Sequence, residues 1–313
     1  MSSISKYIEP LMAGKNLEMD QAGDLLDTIL EGKTEQVQIA AFMTAMRCKG
    51  PTAEELAGLA SSLRNHAVKI DIDGDGLVDT CGTGGAAVKT FNISTAASLA
   101  AAGAGVRIAK HGNRAITSLS GSADCFAALG VKIDTSPDIA ASCIREAGIG
   151  FMFAPMYHPA MKHVQPVRKM LGFRTVFNLL GPLVNPAFAN ARVMGVASKD
   201  LLEKITETLR LLGTKNAMVV HSAGLDEIGT LAPTQIHHLK DGKTQKITLN
   251  PESLGIKLTT LKEISGGQAQ MNAEIVTDIL NNRLSGPKKD IVLLNAAAAV
   301  MVSGITDDFE DAL

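Results

Sequence analysis

The chain has 313 residues, of which 46% are hydrophobic, 20% charged and only 4% aromatic. This length and mixture are typical of an α/β enzyme with a sizeable core, and they exclude a disordered or fibrous chain. The formal net charge of −2 lacks the basic excess of a general nucleic-acid-binding protein, so no nucleic-acid partner is expected.

The N-terminal sequence MSSISKYIEPLMAGKNL has no basic segment followed by an apolar run, so it does not resemble a signal peptide. No stretch of about 18 apolar residues is free of charged or turn residues, which predicts no membrane span. The cysteines (Cys48, Cys81, Cys125 and Cys143) form no C-x-x-C motif. Together these features predict a reduced, cytoplasmic protein without a membrane partner.

The first 70 residues are predicted to be helical. Thr52 precedes an apolar run, and Glu55 follows three residues later, which is the pattern of a capping box. The apolar spacing after it, at Leu56, Leu59 and Leu63, gives the helix one hydrophobic face. The Gly/Asp-rich sequence DIDGDG that follows is interpreted as a linker, because no Glu stands where a calcium loop would need one.

From Leu77 onward, strand-like and helix-like segments alternate. This alternation predicts a mainly parallel central sheet covered by helices. The segment 158–180 has a helical pattern again and interrupts the alternation. Near the end, KDIVLLNAAAAVMVSG predicts a buried helix. The fold class is therefore α/β, with a small all-helical domain and a larger α/β domain.

The sequence VDTCGTGGAAVKTFNIST (78–95) places a glycine loop between a strand and a helix. It does not fit the nucleotide-binding P-loop, because Thr83 and Val88 occupy the two glycine positions that the P-loop requires. Gly82, Gly84 and Ala87 do satisfy G-x-G-x-x-[GA], but that dinucleotide fingerprint also needs an acidic residue about 20 residues later. None occurs between residues 80 and 123.

The same acid-free stretch contains several cationic side chains: Lys89, Arg107, Lys110, His111 and Arg114. Freed backbone N–H groups and the start of the following helix favour an anion cradle at the glycine loop. A second donor-rich loop, KHGNRAITSLSGS, follows the next strand. Two such loops after neighbouring strands predict phosphate groups at two places, as in a pyrophosphate attached to a ribose phosphate.

Asp226 and Glu227 stand just beyond a strand-like segment, in the sequence HSAGLDEIGT. Adjacent acids after a strand are most often a solvated turn. Beside a polyphosphate site they become candidate Mg²⁺ ligands, because Mg²⁺ is held by one or two carboxylates together with substrate phosphates.

The motifs GTGG…TFNIST, KHGNRA, PVRKMLGFRTVFNLLGPLVNP and GLDE, in this order, resemble the anthranilate phosphoribosyltransferase family. The resemblance implies transfer of the phosphoribosyl group from phosphoribosyl pyrophosphate to anthranilate with Mg²⁺, in tryptophan biosynthesis. It implies a helical domain of residues 1–68 with 160–185, through which two copies form a homodimer. It also implies an α/β domain of residues 69–159 with 186–313, which binds phosphoribosyl pyrophosphate.

The resemblance also implies the site residues. Anthranilate would contact Gly82, Asn113 and Arg168, and Mg²⁺ would be held by Ser94, Asp226 and Glu227. Phosphoribosyl pyrophosphate would be surrounded by Gly82, Gly85, Ala86, Thr90, Asn92, Ile93, Ser94, Thr95, Lys110, His111, Gly112, Asn113, Arg114, Ala115, Ile116, Thr117, Ser118 and Ser122.

This chain departs from the family pattern in the glycine loop, where the family usually has G-T-G-G-D-G and this sequence has Ala86 and Ala87. An aspartate in this loop would hold a metal cation beside the pyrophosphate. We hypothesise that Lys89 supplies that positive charge directly. Two alternatives stay open at this point. One is a pyrimidine nucleoside phosphorylase-like enzyme, which KHGNRA and GPLVNP disfavour, and the other is a non-catalytic nucleic-acid-binding relative.

Overall fold

The computed structural model describes residues 4–86, 88–115 and 119–313. Its N-terminal part is helical, as predicted, with α1 (Ser5–Met12), α2 (Met19–Leu30), α3 (Gln36–Lys49) and α4 (Ala53–Asn65).

The predicted capping box begins α4. The Thr52 hydroxyl accepts a hydrogen bond from the Glu55 N–H at 3.2 Å, and the Glu55 carboxylate accepts one from the Thr52 N–H at 2.8 Å. The same carboxylate also accepts from the Leu17 N–H and pairs with Lys49 at 2.8 Å. Glu55 is fully buried. These hydrogen bonds and the ion pair give its carboxylate the partners that a buried charge requires.

The rest of the described chain alternates strands and helices. The strands are β1 (Leu77–Gly82), β2 (Arg107–Gly112), β3 (Ile149–Phe153), β4 (Ala191–Gly195), β5 (Asn216–His221), β6 (Thr234–Lys240) and β7 (Lys243–Leu249). The helices are α5 (Ile93–Gly103), α6 (Ser122–Ala128), α7 (Pro137–Ala147), α8 (Ala154–Tyr157), α9 (Gln165–Leu171), α10 (Phe177–Leu180), α11 (Leu201–Leu211), α12 (Ala269–Leu280), α13 (Pro287–Ser303) and α14 (Phe309–Ala312).

One seven-stranded sheet has the order β3-β2-β1-β4-β5-β6-β7. The first five strands in this order pair in parallel, which confirms the predicted mainly parallel sheet. The chain proceeds outward from β1 to β2 and β3, and then returns to place β4 on the other side of β1. That reversal makes the carboxyl ends of β1 and β4 a topological switch point, where open α/β sheets bind ligands.

Two features of the sheet were not predicted from the sequence. β6 and β7 form an antiparallel hairpin at one edge, and α7 with β3 completes the opposite edge. The hairpin shows only a weak polar–apolar alternation, because one of its strands lies at the sheet edge and is largely exposed.

Helices cover both faces of the sheet. On one face, α5, α12 and α13 share a core with β1, β4 and β5, and α13 is the buried helix predicted near the end of the chain. On the other face, the core of α1–α4 includes Val164, Val167 and Phe177 and continues to α11. Because this core is continuous, the predicted domain boundaries stay a prediction. No helix in the described part of the chain is long and apolar enough to cross a membrane.

Candidate active site

Two glycines make room at the switch point. Gly82 at the end of β1 pairs in register with Gly195 at the end of β4. A Cβ on Gly82 would overlap the Asp226 carboxylate, and a Cβ on Gly195 would overlap the Asp226 backbone. The paired glycines therefore let the loop after β5 fold over the strand ends and bring Asp226 to the glycine loop.

Asp226 contacts the glycine loop directly. Its Oδ2 accepts a hydrogen bond from the Gly84 N–H at 3.0 Å, across 142 positions of sequence. Thr83, the preceding residue, is fixed to the end of β4, because its N–H donates to the Gly195 carbonyl at 2.9 Å. Hydrogen bonds thus join the start of the glycine loop to the end of β4 and to the candidate metal ligand Asp226.

Glu227 lies beside the start of α5, close enough to the Ser94 N–H for that group to lower the pKa of its carboxyl. Burial and, to a smaller extent, the neighbouring Asp226 charge raise the pKa of Glu227 to about 8, against the opposing effect of Lys110. Burial also raises the pKa of Asp226. Two partly desolvated carboxylates side by side are unfavourable as a pair of anions, and a bound cation would relieve that cost.

These residues fit a Mg²⁺ ion that is shared with a substrate. Among the described residues, no group of three or more His, Cys, Asp and Glu side chains could hold a metal by itself. A carboxylate pair that faces a phosphate-binding loop is the arrangement in which substrate oxygens complete the Mg²⁺ coordination. Ser94 and Glu227 are brought together as predicted, and the metal role of Ser94, Asp226 and Glu227 stays a prediction.

The second donor-rich loop is organised by a residue that the sequence analysis missed. Asp124, in the first turn of α6, accepts from the Ala115 N–H at 2.8 Å and the Gly121 N–H at 3.0 Å, and pairs with Arg114 at 3.0 Å. Partial burial alone would raise the pKa of Asp124, but these partners outweigh it and lower the pKa. Asp124 is the first acid after the acid-free stretch, which was the available signal.

The Asp124→Asn variant should raise the KM for the substrate predicted from the sequence, phosphoribosyl pyrophosphate, about tenfold, since hydrogen bonds to a charged acceptor contribute about 1.5–3 kcal/mol. The loop between Arg114 and Gly121 would lose the acceptor that fixes both of its ends. Steady-state kinetics with each substrate varied would measure the change. Asp134→Asn, at an exposed acid, is the control; an unaltered KM in Asp124→Asn would show that the loop does not need this anchor.

Asn92 links the two donor loops. Its side-chain amide donates to the Ser120 carbonyl at 3.2 Å, and its carbonyl oxygen accepts from Asn272 of α12 at 2.8 Å. Both ends of the side chain are therefore engaged within the protein. Its predicted contact with phosphoribosyl pyrophosphate stays a prediction, while the structure gives it a bridging role.

Lys110 lies on β2, beside Thr80 of β1. Its ammonium donates to the carbonyl and the hydroxyl of Thr80, and the side chain is buried. Burial lowers its pKa, while the nearby charges of Asp79 and Glu227 act in the opposite direction. In this structure the Lys110 amine is bound by Thr80 within the protein, and its predicted contact with the substrate stays a prediction.

His111 and His158 are both buried, with ring centroids 5.1 Å apart. Burial lowers the pKa of His111 to about 4 and that of His158 to about 3, where the charge of His111 contributes as well. Both rings are therefore neutral at pH 7. Nε2 of His111 is buried and has no hydrogen-bond partner among the described residues.

The histidine pair predicts acid sensitivity of the fold. Below about pH 6.5 both histidines become protonated in the unfolded chain, whereas in the folded protein they stay neutral down to about pH 4. The free energy of unfolding should therefore fall by ~1.4 kcal/mol per pH unit for each histidine as the pH is lowered. Denaturant unfolding between pH 4.5 and 7.5, a range of about three units around that ordinary pKa, would measure it. His158→Phe should flatten the curve relative to wild type; an identical slope would contradict the prediction.

Arg168 lies in α9, with its guanidinium 5.7 Å from the centroid of the Phe177 ring. The side chain is half-buried, and desolvation lowers its pKa. No ion pair within the described part of the chain includes Arg168. A desolvated cation without a carboxylate partner suits a carboxylate ligand, and its grouping with Gly82 and Asn113 around anthranilate stays a prediction.

The structure gives less information about some of the residues predicted to bind phosphoribosyl pyrophosphate. Ile116, Thr117 and Ser118 lie outside the described residues, as does Ala87. Ala86 is half-buried and Lys89 is exposed, so the hypothesis about Lys89 stays a prediction. The remaining predicted contacts of phosphoribosyl pyrophosphate lie on the two loops and at the starts of α5 and α6: Gly85, Thr90, Ile93, Thr95, Gly112 and Ser122.

Two further residues shape the site and were missed. Arg174 reaches the glycine loop from the segment between α9 and α10 and donates to the Gly84 carbonyl at 3.0 Å. Arg192 of β4 is fully buried, lies 3.8 Å from Asp79 and donates to the Pro182 carbonyl at 2.7 Å. Arg174 left no residue-type pattern in the sequence because its partners are distant backbone carbonyls, and Arg192 left none because its charged partner, Asp79, lies on another strand far away in the sequence.

Comparison with known proteins matches both parts of the chain to one family. Residues 5–67 match the family model described as glycosyl transferase family, helical bundle domain. Residues 74–313 match the model described as glycosyl transferase family, a/b domain.

Individual relatives agree with the family models. Anthranilate phosphoribosyltransferase of Desulfatibacillum aliphaticivorans is 46% identical over 310 residues, which cover 99% of this chain and 91% of that protein. The crystal structure of anthranilate phosphoribosyltransferase from Thermus thermophilus is 38% identical, with a TM-score of 0.91 over 97% of this chain and 91% of that one. The Saccharomyces cerevisiae enzyme, solved in complex with phosphoribosyl pyrophosphate and Mg, is 28% identical, with a TM-score of 0.87 over 99% of this chain and 91% of that one.

Proposed function

The chain belongs to the glycosyl transferase family that contains the anthranilate phosphoribosyltransferases, and from this membership we infer its reaction. It transfers the 5-phosphoribosyl group of phosphoribosyl pyrophosphate to the amino group of anthranilate and releases pyrophosphate, a step of tryptophan biosynthesis. The observation that carries this function is the Asp226–Glu227 pair against the glycine loop, at the switch point of the sheet. Neither alternative considered from the sequence has comparable support.

The reaction asks for positioning more than for proton transfer. The anthranilate nitrogen forms a bond to C1 of the ribose while the bond from C1 to the pyrophosphate oxygen breaks. Pyrophosphate keeps the electron pair, and the amine loses one proton. Because an aromatic amine is already neutral at pH 7, no strong base has to activate it, and the site can consist mainly of hydrogen-bond donors.

Each part of the site has a task in this scheme. Asp226, Glu227 and Ser94 would hold Mg²⁺, which supplies charge neutralisation of the pyrophosphate when it is bound. The glycine loop and the start of α5 offer backbone N–H groups to the phosphates. Arg168 would bind the anthranilate carboxylate, and neutral His111 would face the same substrate.

The test is a fluorescence assay. Anthranilate fluorescence should fall with time when phosphoribosyl pyrophosphate and Mg²⁺ are both present, with pyrophosphate appearing in equal amount. Controls omit either phosphoribosyl pyrophosphate or Mg²⁺, the latter by chelation. No loss of anthranilate in the complete mixture, or phosphorolysis of a pyrimidine nucleoside in its place, would overturn the function.

The chain is further proposed to act as a homodimer in the cytoplasm. Large apolar side chains are exposed on helices that pack side by side: Met12 of α1 is 73% exposed, Val37 of α3 74% and Met170 of α9 68%. Four free thiols suit a reducing compartment. Light scattering should give the mass of a dimer, and Val37→Asp should shift it toward a monomer; a monomeric wild type would contradict the dimer.

A further inference from the structure

Arg174 lies on the short segment between α9 and α10, directly before residues of the core around the N-terminal helices. Its guanidinium leaves that segment and covers the glycine loop. Nη2 donates to the Thr83 carbonyl at 3.3 Å and to the Gly84 carbonyl at 3.0 Å. One nitrogen therefore binds two successive carbonyl oxygens of the loop.

The loop is shaped to receive this side chain. Gly85 has a φ of +78°, and a Cβ at that position would overlap the Arg174 guanidinium. Glycine is therefore required at this position twice, for the backbone conformation and for the close approach of the arginine.

Gly84 is held from two sides. Its N–H donates to Asp226, and its carbonyl accepts from Arg174. Arg174 thus connects the helical part of the molecule to the loop and to the candidate metal ligand at once.

We infer that Arg174 is a positioning residue for phosphoribosyl pyrophosphate, because it binds the Thr83 and Gly84 carbonyls and so fixes the glycine loop. A loop that binds an anion must present N–H groups and turn its carbonyl oxygens, which repel the anion, away. Arg174 neutralises two such oxygens and anchors the loop to a segment outside the sheet. This inference rests on the proposed function, since it concerns the binding of that substrate.

The experiment compares wild type, Arg174→Ala and Arg174→Lys by calorimetric titration with phosphoribosyl pyrophosphate and Mg²⁺. Arg174→Ala should bind about tenfold more weakly, as expected for lost hydrogen bonds from a charged donor. Arg174→Lys should recover most of the affinity, because both hydrogen bonds come from one nitrogen and an ammonium group can make them. The KM for anthranilate should change less than about twofold, since the hydrogen bonds of Arg174 reach Thr83 and Gly84, which are not among the predicted anthranilate contacts.

The matched control is Arg145→Ala. Arg145 is exposed and also donates to a backbone carbonyl, that of Asp71 at 3.3 Å, but lies on α7 outside the site. Its removal should leave the affinity unchanged. Tm is measured for every variant and should stay within about 2 °C of wild type, as for other substitutions outside the core.

Three results would overturn the inference. Arg174→Ala with wild-type affinity would remove Arg174 from the loop's function. An equal loss for both substrates with a lowered Tm, and no recovery in Arg174→Lys, would assign Arg174 a structural role only. A wild type that does not bind phosphoribosyl pyrophosphate would overturn the proposed function and this inference together, whereas the first two results leave the proposed function standing.

Discussion

The double variant Asp226→Asn/Glu227→Gln should lose at least about a hundredfold in kcat/KM and lose its dependence on Mg²⁺, because metal-assisted charge neutralisation contributes several kcal/mol. Both substitutions keep the shape of the side chains, so the loss would report the charges alone. Turnover over a series of Mg²⁺ concentrations measures the kinetic effect. Calorimetry with phosphoribosyl pyrophosphate, with and without Mg²⁺, measures binding separately from turnover.

The stability of the same variant should not fall. Burial raises the pKa of both carboxyls, which means that their charged forms are unfavourable in the folded protein without a cation. Neutral amides avoid that cost, so Tm should be equal to or above that of wild type. The control is Glu310→Gln/Asp311→Asn, an adjacent acidic pair that is exposed. Near-normal activity with normal Mg²⁺ dependence in the site variant would show that Asp226 and Glu227 are only a turn.

Arg168→Ala should raise the KM for anthranilate roughly ten- to hundredfold, because a lost charged hydrogen-bond partner costs about 1.5–3 kcal/mol. The KM for phosphoribosyl pyrophosphate should change far less. The half-buried guanidinium lies over the Phe177 ring and has no carboxylate partner among the described residues. A substrate carboxylate can supply that partner in a bidentate pair.

Arg168→Lys should fall between wild type and Arg168→Ala, since an ammonium group keeps the charge but cannot make the planar bidentate contact. Lys169→Ala, at the next and exposed position, is the control for the helix. Steady-state kinetics with each substrate varied in turn would separate the two KM values. An unchanged KM for anthranilate with intact kcat in Arg168→Ala would remove Arg168 from the site.

Several features could be recognised from the sequence alone because neighbouring residues specify them. The Thr52–Glu55 capping box, the acid-free stretch with its two donor loops, and the acids after β5 are all short-range patterns of residue type. The family resemblance rests on the two donor loops, the acids after β5 and the segment 166–186. Asp124 stands directly after the acid-free stretch, so its position was visible in the sequence. Its role as the acceptor that holds the second donor-rich loop is visible only from its hydrogen bonds in the structure.

The amino-acid sequence by itself determined the helical N-terminal part, the strand–helix alternation and the chemical character of the site, because helix periods, caps and glycine turns are set by residues within a few positions of one another. Only the tertiary structure decided that β4 returns beside β1, which pairs Gly82 with Gly195 and brings Asp226 to Gly84. It also decided that Arg174 covers the same loop. These contacts join side chains to backbone atoms across 90 and 142 positions, and the order of strands that creates them follows from packing of the whole sheet.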